Sequence, residues 1–193
     1  MPRPNWFFAF PIAGAFLRDL TEPPTSIRLY HPDDAHLTLA FLGGCTEEAA
    51  LRALAALDAR LASDPPPVLD VALGEVVPLG RSKSGYTTLS ALLSSGREEA
   101  TALLTAHRDP LHEAATGTRP KRPAKPHVTL ARVRGRASAE SREAGLAWAA
   151  SLDLRRVRVR LERIALYTWA ESRKERLFRI VTERRLNVFS DPT

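Results

Sequence analysis

Two short segments of this sequence place a histidine and a threonine two residues apart in nearly the same surroundings. The first, from His36 to Gly44, reads His-Leu-Thr-Leu-Ala-Phe-Leu-Gly-Gly, and the second, from His127 to Gly135, reads His-Val-Thr-Leu-Ala-Arg-Val-Arg-Gly. The His, Thr, Leu, Ala and final Gly are identical in both. Core packing alone does not require two polar residues to recur together, so the repeat indicates a site that uses them.

The spacing has a geometric meaning if each segment is a β-strand. Side chains two residues apart then point to one face, so His36 and Thr38 share a face, as do His127 and Thr129. If a pseudo-two-fold axis relates the two halves of the chain, both pairs meet across a cleft. One neutral and one protonated histidine would supply base and acid on opposite sides of a phosphorus atom, and the hydroxyls would hydrogen-bond its free oxygens. The pattern predicts in-line phosphodiester chemistry without a metal.

The other histidines and the single cysteine give no competing site. We interpret His31 as a turn residue and His107 and His112 as helix residues without a catalytic role. Two histidines with no nearby cysteine or third histidine make a poor zinc site. Cys45 is the only cysteine, which excludes an intrachain disulfide. We interpret Cys45 as a small residue at a turn between a strand and a helix. No dinucleotide-binding or P-loop motif follows a strand, so we expect no metal and no cofactor.

Composition sets wider bounds. The 193 residues are enough for one large domain or two lobes. Their net charge of +6 favours a phosphate or nucleic-acid ligand. No apolar run approaches the roughly 20 residues of a membrane-spanning helix, and the N-terminal region does not resemble a secretory signal. We therefore expect a cytoplasmic monomer without a membrane partner.

Hydrophobic periodicity and turn residues outline the elements. Predicted strands cover 5–10, 26–30, 37–42, 68–79, 86–93, 127–133, 157–167 and 177–184. Predicted helices cover 12–20, 46–61, 97–115 and 138–150, with Thr46 and Ser138 as caps and a disturbance at Pro110. A basic, proline-rich linker covers 118–126. Strands, helix and strands in each half predict an α+β fold with mainly antiparallel sheets.

The two repeated segments resemble the signature motifs of the 2H phosphoesterase superfamily, and more narrowly those of the RNA 2′,3′-cyclic phosphodiesterases, also called 2′-5′ RNA ligases. The aromatic start and the Leu166-Tyr167 pair are similar to the family pattern, whereas 167–172 matches it loosely. The resemblance implies one bilobal pseudo-two-fold domain over 1–193, with one H-x-T motif per lobe. It also implies two mainly antiparallel sheets flanking a central cleft, with helices outside.

The same resemblance implies the activity and the roles of residues. It implies hydrolysis of a terminal 2′,3′-cyclic phosphate of RNA to a 2′-phosphate without metal or nucleotide cofactor, and a weaker ATP-independent joining of RNA ends through a 2′-5′ bond. His36 and His127 would be the acid and base. Phosphate would be bound by Thr38, Thr129 and Arg132, while Phe41, at the place equivalent to Arg132, would stack on a base.

Strict alternation along a strand places Phe41 and Arg132 on the face opposite to the histidines. A β-bulge, a strand end or a long side chain is needed to bring them to the site.

Alternatives remain open on the sequence alone. Another 2H activity, on cyclic-phosphate nucleotides or 2′-5′ oligonucleotides, would use the same residues, and the loops around Arg81–Lys83 and Arg119–Lys125 would decide between them. A non-catalytic RNA-binding module is disfavoured because both His/Thr pairs are intact. We also expect the cluster of Arg119, Lys121, Arg122 and Lys125 to bind the RNA backbone, with a solvated linker as an equal alternative.

Overall fold

The computed structural model describes residues 3–80, 82, 85–135 and 137–186. Its strands are β1 (Trp6–Pro11), β2 (Ile27–Leu29), β3 (His36–Gly43), β4 (Leu69–Leu79), β5 (Thr88–Ser95), β6 (His127–Val133), β7 (Arg158–Leu161), β8 (Arg163–Trp169) and β9 (Phe178–Arg185). Its α-helices are α1 (Glu47–Ser63), α2 (Arg97–Thr116) and α3 (Ala139–Ser151). Short 3-10 helices cover Gly14–Arg18 and Pro32–Asp34.

The strands pair antiparallel in the order β7-β4-β5-β6-β3-β1-β8-β9, and β2 pairs with β6. The two halves of this sheet meet where β3 lies beside β6, through a pairing of Leu37 with Val128. Each of these residues directly follows a motif histidine, so a pseudo-two-fold relation passes between the two motifs. The predicted α+β fold with two antiparallel halves is confirmed, and the halves join into one sheet at this point.

The helices cover one face of the sheet. Nearly all of their buried apolar residues belong to the large core that also contains Phe8, Phe10, Leu37 and Val128. The alternate residues of β1, Phe7 and Ala9, belong to a separate small cluster. Every residue of β1 from Trp6 to Phe10 is therefore buried, because both faces of this strand are covered. We call the face that carries Phe7 and the motif histidines the open face.

Helix boundaries follow the predicted capping residues. The Thr46 hydroxyl accepts from the N–H of Ala49, and the Ser138 hydroxyl accepts from the N–H of Ser141. Helix α2 continues through Pro110, contrary to the expected disturbance. Buried residues precede and follow the proline, and their packing offsets the lost backbone hydrogen bond.

Two other predicted elements are wrong in extent. The strand predicted over 157–167 is two strands separated at Glu162, because β7 pairs with β4 in one half and β8 pairs with β1 in the other. The chain crosses between the halves at this residue, and no periodicity in the sequence marks the change of partner. The helix predicted over 12–20 is only the 3-10 helix Gly14–Arg18, which ends before the prolines at positions 23 and 24.

Candidate active site

The register of β3 and β6 determines how the two motifs meet. Pairing of Leu37 with Val128 places His36 opposite Thr129 and Thr38 opposite His127. Leu37 and Val128 point into the core and are fully buried, so the four polar residues point to the open face. The histidines occupy one diagonal of a four-residue square, and the threonines occupy the other.

Both imidazoles are held in the same way by backbone two residues earlier in the chain. Nδ1 of His36 lies 2.7 Å from the carbonyl oxygen of Asp34, and Nδ1 of His127 lies 2.7 Å from the carbonyl oxygen of Lys125. A carbonyl oxygen only accepts, so each Nδ1 is the protonated donor. Nε2 of each ring is therefore the atom that remains to take or give a proton at the open face.

The surroundings lower the pKa of both histidines, to different degrees. Burial lowers the pKa of His36 to about 4, although Asp34 opposes this shift and His127 reinforces it. Burial is also the largest cause that lowers the pKa of His127, and Lys125 adds to it, while the hydrogen bond to the Lys125 carbonyl opposes it. Without a bound anion, both rings are neutral at pH 7, and His127 is more exposed than His36.

Aromatic rings enclose His36. The centroid of its ring lies 4.9 Å from that of Phe7, 5.5 Å from Tyr167 and 5.6 Å from Phe178. Phe7 and Tyr167 are stacked nearly parallel, and Phe178 meets both Phe7 and His36 edge-on. This box removes water from one side of the imidazole and fixes its ring plane.

A β-bulge in each motif interrupts the strict alternation of side chains that would place Phe41 and Arg132 on the face opposite to the histidines. Relative to β1, strand β3 has one extra residue, Leu39, between Thr38 and Ala40. Relative to β5, strand β6 has the equivalent extra residue, Leu130, between Thr129 and Ala131. In each motif the Leu and the following Ala both enter the core, so the next residue emerges on the open face.

The bulges thus place Phe41 and Arg132 on the same face as the histidines. Phe41 pairs with Phe7, which packs against His36 on that face. Arg132 pairs with Thr88, on the same side of β5 as Ser90, the partner of Thr129. The required bulge could not be read from the sequence, because a Leu-Ala step fits a regular strand equally well.

Sequence reasoning missed two polar residues beside the motifs. Ser90 is fully buried, and its hydroxyl lies 3.2 Å from that of Thr129, which orients the threonine. The Asp34 carboxylate is also buried and accepts hydrogen bonds from the N–H groups of Leu177 (2.8 Å) and Phe178 (3.1 Å). Asp34 therefore ties the start of β9, and with it the ring of Phe178, to the turn before His36. A serine in an apolar strand and an aspartate before a motif were the available signals.

The basic linker lies at the end of the open face that Phe41 occupies. Phe41 is 52% exposed and faces a cleft of about 450 Å³. That cleft is lined by Phe41, Arg108, His112, Pro120, Lys121, Arg122 and Pro123. We call it the Phe41 cleft. It brings an aromatic ring, proposed from one motif, together with two cations proposed from the linker.

The other two residues of the predicted basic cluster are placed differently. Nε of Arg119 donates to Glu113 at 3.0 Å, so this guanidinium already has an anionic partner. Lys125 is exposed and supplies its carbonyl to His127. Arg81 and Lys83, in the other loop expected to influence specificity, lie outside the described residues.

The remaining histidines and Cys45 are distributed around the fold. His31 caps the 3-10 helix Pro32–Asp34, and His107 is buried, where it accepts from Nε of Arg60. His112 lies nearer to the site than we expected, because it lines the Phe41 cleft and Nδ1 lies 2.7 Å from the Thr118 carbonyl oxygen. Burial raises the pKa of the Cys45 thiol, which disfavours a nucleophilic role.

Within the described part of the chain, no three or more His, Cys, Asp or Glu residues group together in a way that could hold a metal ion. No described helix is long and apolar enough to cross a membrane.

An antiparallel sheet that presents two H-x-T motifs side by side defines a class of two-histidine phosphoesterases. The family model of the 2′-5′ RNA ligase superfamily matches residues 16–173 of this sequence. The chain belongs to that superfamily, which is part of the 2H phosphoesterases. A comparison with curated protein sequences finds no match.

Solved structures show the same fold. The crystal structure of E. coli LigT complexed with 3′-AMP is 20% identical, covers 96% of this chain and 99% of LigT, and has a TM-score of 0.68. TT0787 of Thermus thermophilus is 19% identical over 96% of this chain and 99% of its own, with a TM-score of 0.64. Usb1 of Kluyveromyces marxianus is 12% identical over 86% of this chain and 93% of its own, with a TM-score of 0.50.

Proposed function

We propose that this phosphoesterase hydrolyses the 2′,3′-cyclic phosphate at the end of an RNA strand to a 2′-phosphate. The diagonal placement of the two histidines carries the proposal. Each presents Nε2 to the open face because a backbone carbonyl holds Nδ1. In-line displacement at phosphorus needs a base and an acid on opposite sides, and one neutral and one protonated imidazole meet that need. All of 1–193 would act as one bilobal unit, with one motif from each lobe.

The threonines provide the other two corners of the site. Their hydroxyls would hydrogen-bond the non-bridging oxygens as negative charge shifts during displacement. Ser90 holds the Thr129 side chain in place. Arg132, brought to the same face by the bulge at Leu130, adds positive charge at one edge of the phosphate site.

Substrate orientation follows from the two ends of the open face. Bases stack on exposed aromatic rings irrespective of sequence, and neighbouring cations hold the backbone phosphates. The Phe41 cleft offers both, so the nucleoside that carries the cyclic phosphate would lie there, with its strand continuing over Lys121 and Arg122. LigT, which shares the fold, has been crystallised with 3′-AMP, ATP and NADP+, and these ligands support a nucleotide in the cleft.

This orientation assigns the two histidines. The register places His127 nearer the Phe41 cleft and His36 nearer the opposite end. His36, with its pKa lowered to about 4, would act as the base that takes a proton from water. His127, which is more exposed, would protonate the 3′-oxygen as its bond to phosphorus breaks. The 2′-oxygen keeps the phosphate.

A direct test uses purified protein in excess EDTA with adenosine 2′,3′-cyclic phosphate. We expect conversion to the 2′-phosphate, identified by chromatography against the 3′-phosphate, at the rate seen without chelator. Loss of turnover that zinc or magnesium restores would overturn the metal-free mechanism. Formation of the 3′-phosphate would overturn the assignment of the leaving oxygen.

A further inference from the structure

The end of the open face opposite to the Phe41 cleft carries a second basic groove. It has a volume of about 560 Å³ and is lined by Arg28, Arg132, Val133, Arg134 and Gly135. We call it the arginine groove. Its described lining includes three guanidinium groups and no acidic residue. The proposed hydrolysis needs only water on this side of the phosphorus, so the groove exceeds what that reaction requires.

Paired strands hold the groove rigidly. Arg28 in β2 is the cross-strand partner of Arg132 in β6, and the N–H of Arg134 donates to the carbonyl of Ser26 at 2.9 Å. The guanidinium of Arg28 is oriented by donation to the carbonyl of Lys174, in the connection between β8 and β9. Three arginines thus occupy neighbouring backbone positions, where an anion between their guanidinium groups would relieve the repulsion of their charges.

Acidic residues of the neighbourhood do not neutralise these arginines. None of the three forms an ion pair with a described residue. Asp33 lies 3.6 Å from Arg176, and the Asp34 carboxylate is occupied by two backbone N–H groups. Glu175 lines the adjoining cavity, together with Arg18, Arg28 and Arg132, and marks the boundary of the groove.

Distance along β6 separates this groove from the reacting phosphate. Arg132 is five residues beyond His127, which is about 16 Å along a regular strand that rises 3.2–3.4 Å per residue, and the bulge at Leu130 shortens this distance. Arg132 borders both the phosphate site and the groove. Arg28 and Arg134 lie on the far side, where they would meet a phosphate further along a nucleic-acid strand.

We propose that the arginine groove binds the backbone phosphates of a second RNA strand, the one whose 5′-oxygen is bonded to the reacting phosphorus. This proposal rests on the function proposed above and adds a strand-binding site to it. In cleavage of a 2′-5′ junction, the 3′-hydroxyl attacks phosphorus and loses its proton to His127. The bond to the 5′-oxygen breaks, and His36 protonates that oxygen. The products are a 2′,3′-cyclic phosphate and a 5′-hydroxyl strand, and the reverse reaction joins them.

The test compares two 2′-5′-linked substrates that differ only beyond the 5′-oxygen. One ends in a single nucleoside, and the other carries three further nucleotides. In the wild type we expect kcat/KM to be at least 10-fold higher for the longer substrate. The double variant Arg28→Gln/Arg134→Gln should lose this advantage. Arg52→Gln/Arg97→Gln, which removes two exposed charges from the outer helices α1 and α2, should retain it.

Separate measurements distinguish failure of the groove from failure of the proposed chemistry. Hydrolysis of adenosine 2′,3′-cyclic phosphate, which has nothing beyond the phosphorus, reports the histidine site alone. Binding of a 5′-hydroxyl oligoribonucleotide, measured by fluorescence anisotropy, reports the groove without turnover. The Arg28/Arg134 variant should weaken that binding at least 10-fold and reduce its salt slope by about 0.7 for each phosphate that the groove no longer binds.

Two results would overturn the groove assignment. One is equal binding of the 5′-hydroxyl strand by the wild type and the Arg28/Arg134 variant. The other is a decrease of kcat/KM in the variant by the same factor on the long substrate, the short substrate and the cyclic mononucleotide, which would indicate that these arginines have a structural role.

Discussion

Strands β3 and β6 have the same backbone design, but their surroundings differ. Both begin with a histidine whose Nδ1 bonds to a carbonyl two residues earlier, and both are bulged at the fourth residue. Around His36, however, three aromatic rings close off water, whereas His127 stands beside exposed Lys125. Shared backbone geometry positions two equivalent groups, and unequal burial gives them different proton affinities.

The first way to break this comparison is to remove each histidine. His36→Ala and His127→Ala should each reduce kcat on a cyclic phosphate by roughly 10²–10⁴, the usual contribution of general acid–base catalysis. His31→Ala, which alters an exposed turn, should leave kcat close to wild type. Near-normal turnover of either motif variant would show that its histidine is structural.

An activated substrate then separates the two roles. In a nucleoside 2′-(4-nitrophenyl phosphate), attack by the 3′-hydroxyl expels nitrophenolate, which needs no proton from an acid. His36, on the departing side, becomes dispensable, so His36→Ala should retain most activity while His127→Ala does not. The absorbance of nitrophenolate measures its rate of release. If His127→Ala retained most activity and His36→Ala did not, the roles assigned to the two histidines would be reversed.

The pH dependence of kcat/KM measures the difference between the pKa values of His36 and His127, because kcat/KM reports the protonation states of the free enzyme. The neutral form of His36 increases as pH rises through about 4. The protonated form of His127 is lost as pH rises through a pKa that lies below 6.5. We therefore expect a bell with its maximum between about pH 4 and 6.5. A bound phosphate raises both pKa values, so the bell for kcat should lie at higher pH.

Single variants should each remove one side of that bell. The acid limb should vanish from the residual activity of His36→Ala, and the alkaline limb from that of His127→Ala. A kcat/KM maximum above pH 7 in the wild type would contradict the burial effects that distinguish the two sites.

The sequence predicts part of the arrangement of the two motifs and leaves another part undetermined. The H-x-T repeat and its period of two predict the two pairs on one face of paired strands. The bulges at Leu39 and Leu130 were not predictable, because a bulge is set by the pairing of a strand with its neighbour. For the same reason, the change of sheet partner at Glu162 and the long-range hydrogen bonds of Asp34 left no local pattern. Ser90 emerges as a site residue only when β5 lies beside β6.

Asp34 and Lys125 provide the next comparison, since each gives its carbonyl to a motif histidine. The side chain of Asp34 also accepts two backbone N–H groups of the β9 start, whereas that of Lys125 is exposed. Asp34→Ala should therefore reduce the free energy of unfolding by about 2–4 kcal/mol, since one buried and one partly buried N–H group lose their acceptor. Lys125→Ala should change it by less than about 0.5 kcal/mol. Denaturant unfolding of both variants measures the difference, and equal stabilities would refute the anchoring role of Asp34.

Phe41 and Arg132 occupy equivalent places after the two bulges and should affect different quantities. Phe41→Ala should raise KM roughly 10-fold, the lower part of the 1–3 kcal/mol that base stacking contributes. Phe41→Trp should preserve binding, and Leu51→Ala, which truncates another exposed apolar residue, on α1, should have no effect. Arg132→Gln should lower kcat/KM for every substrate that contains the phosphate, irrespective of its base. An effect of Phe41→Ala on nucleotides that equals its effect on a base-free cyclic phosphodiester would exclude stacking.

The smallest expected effect concerns the basic linker, where the structure separates residues that the sequence groups together. Lys121 and Arg122 line the Phe41 cleft, whereas Arg119 pairs with Glu113. Lys121→Gln/Arg122→Gln should weaken binding of oligomeric RNA several-fold and flatten its dependence on salt, because fewer counterions are released. Arg119→Gln removes a charge that is already paired and should change binding less. Hydrolysis of a cyclic mononucleotide should fall less than that of an oligomer, because the mononucleotide has no phosphate beyond the reacting one. Equal losses on both substrates would give the linker a role in holding β6, and no loss on either would leave it a solvated connection.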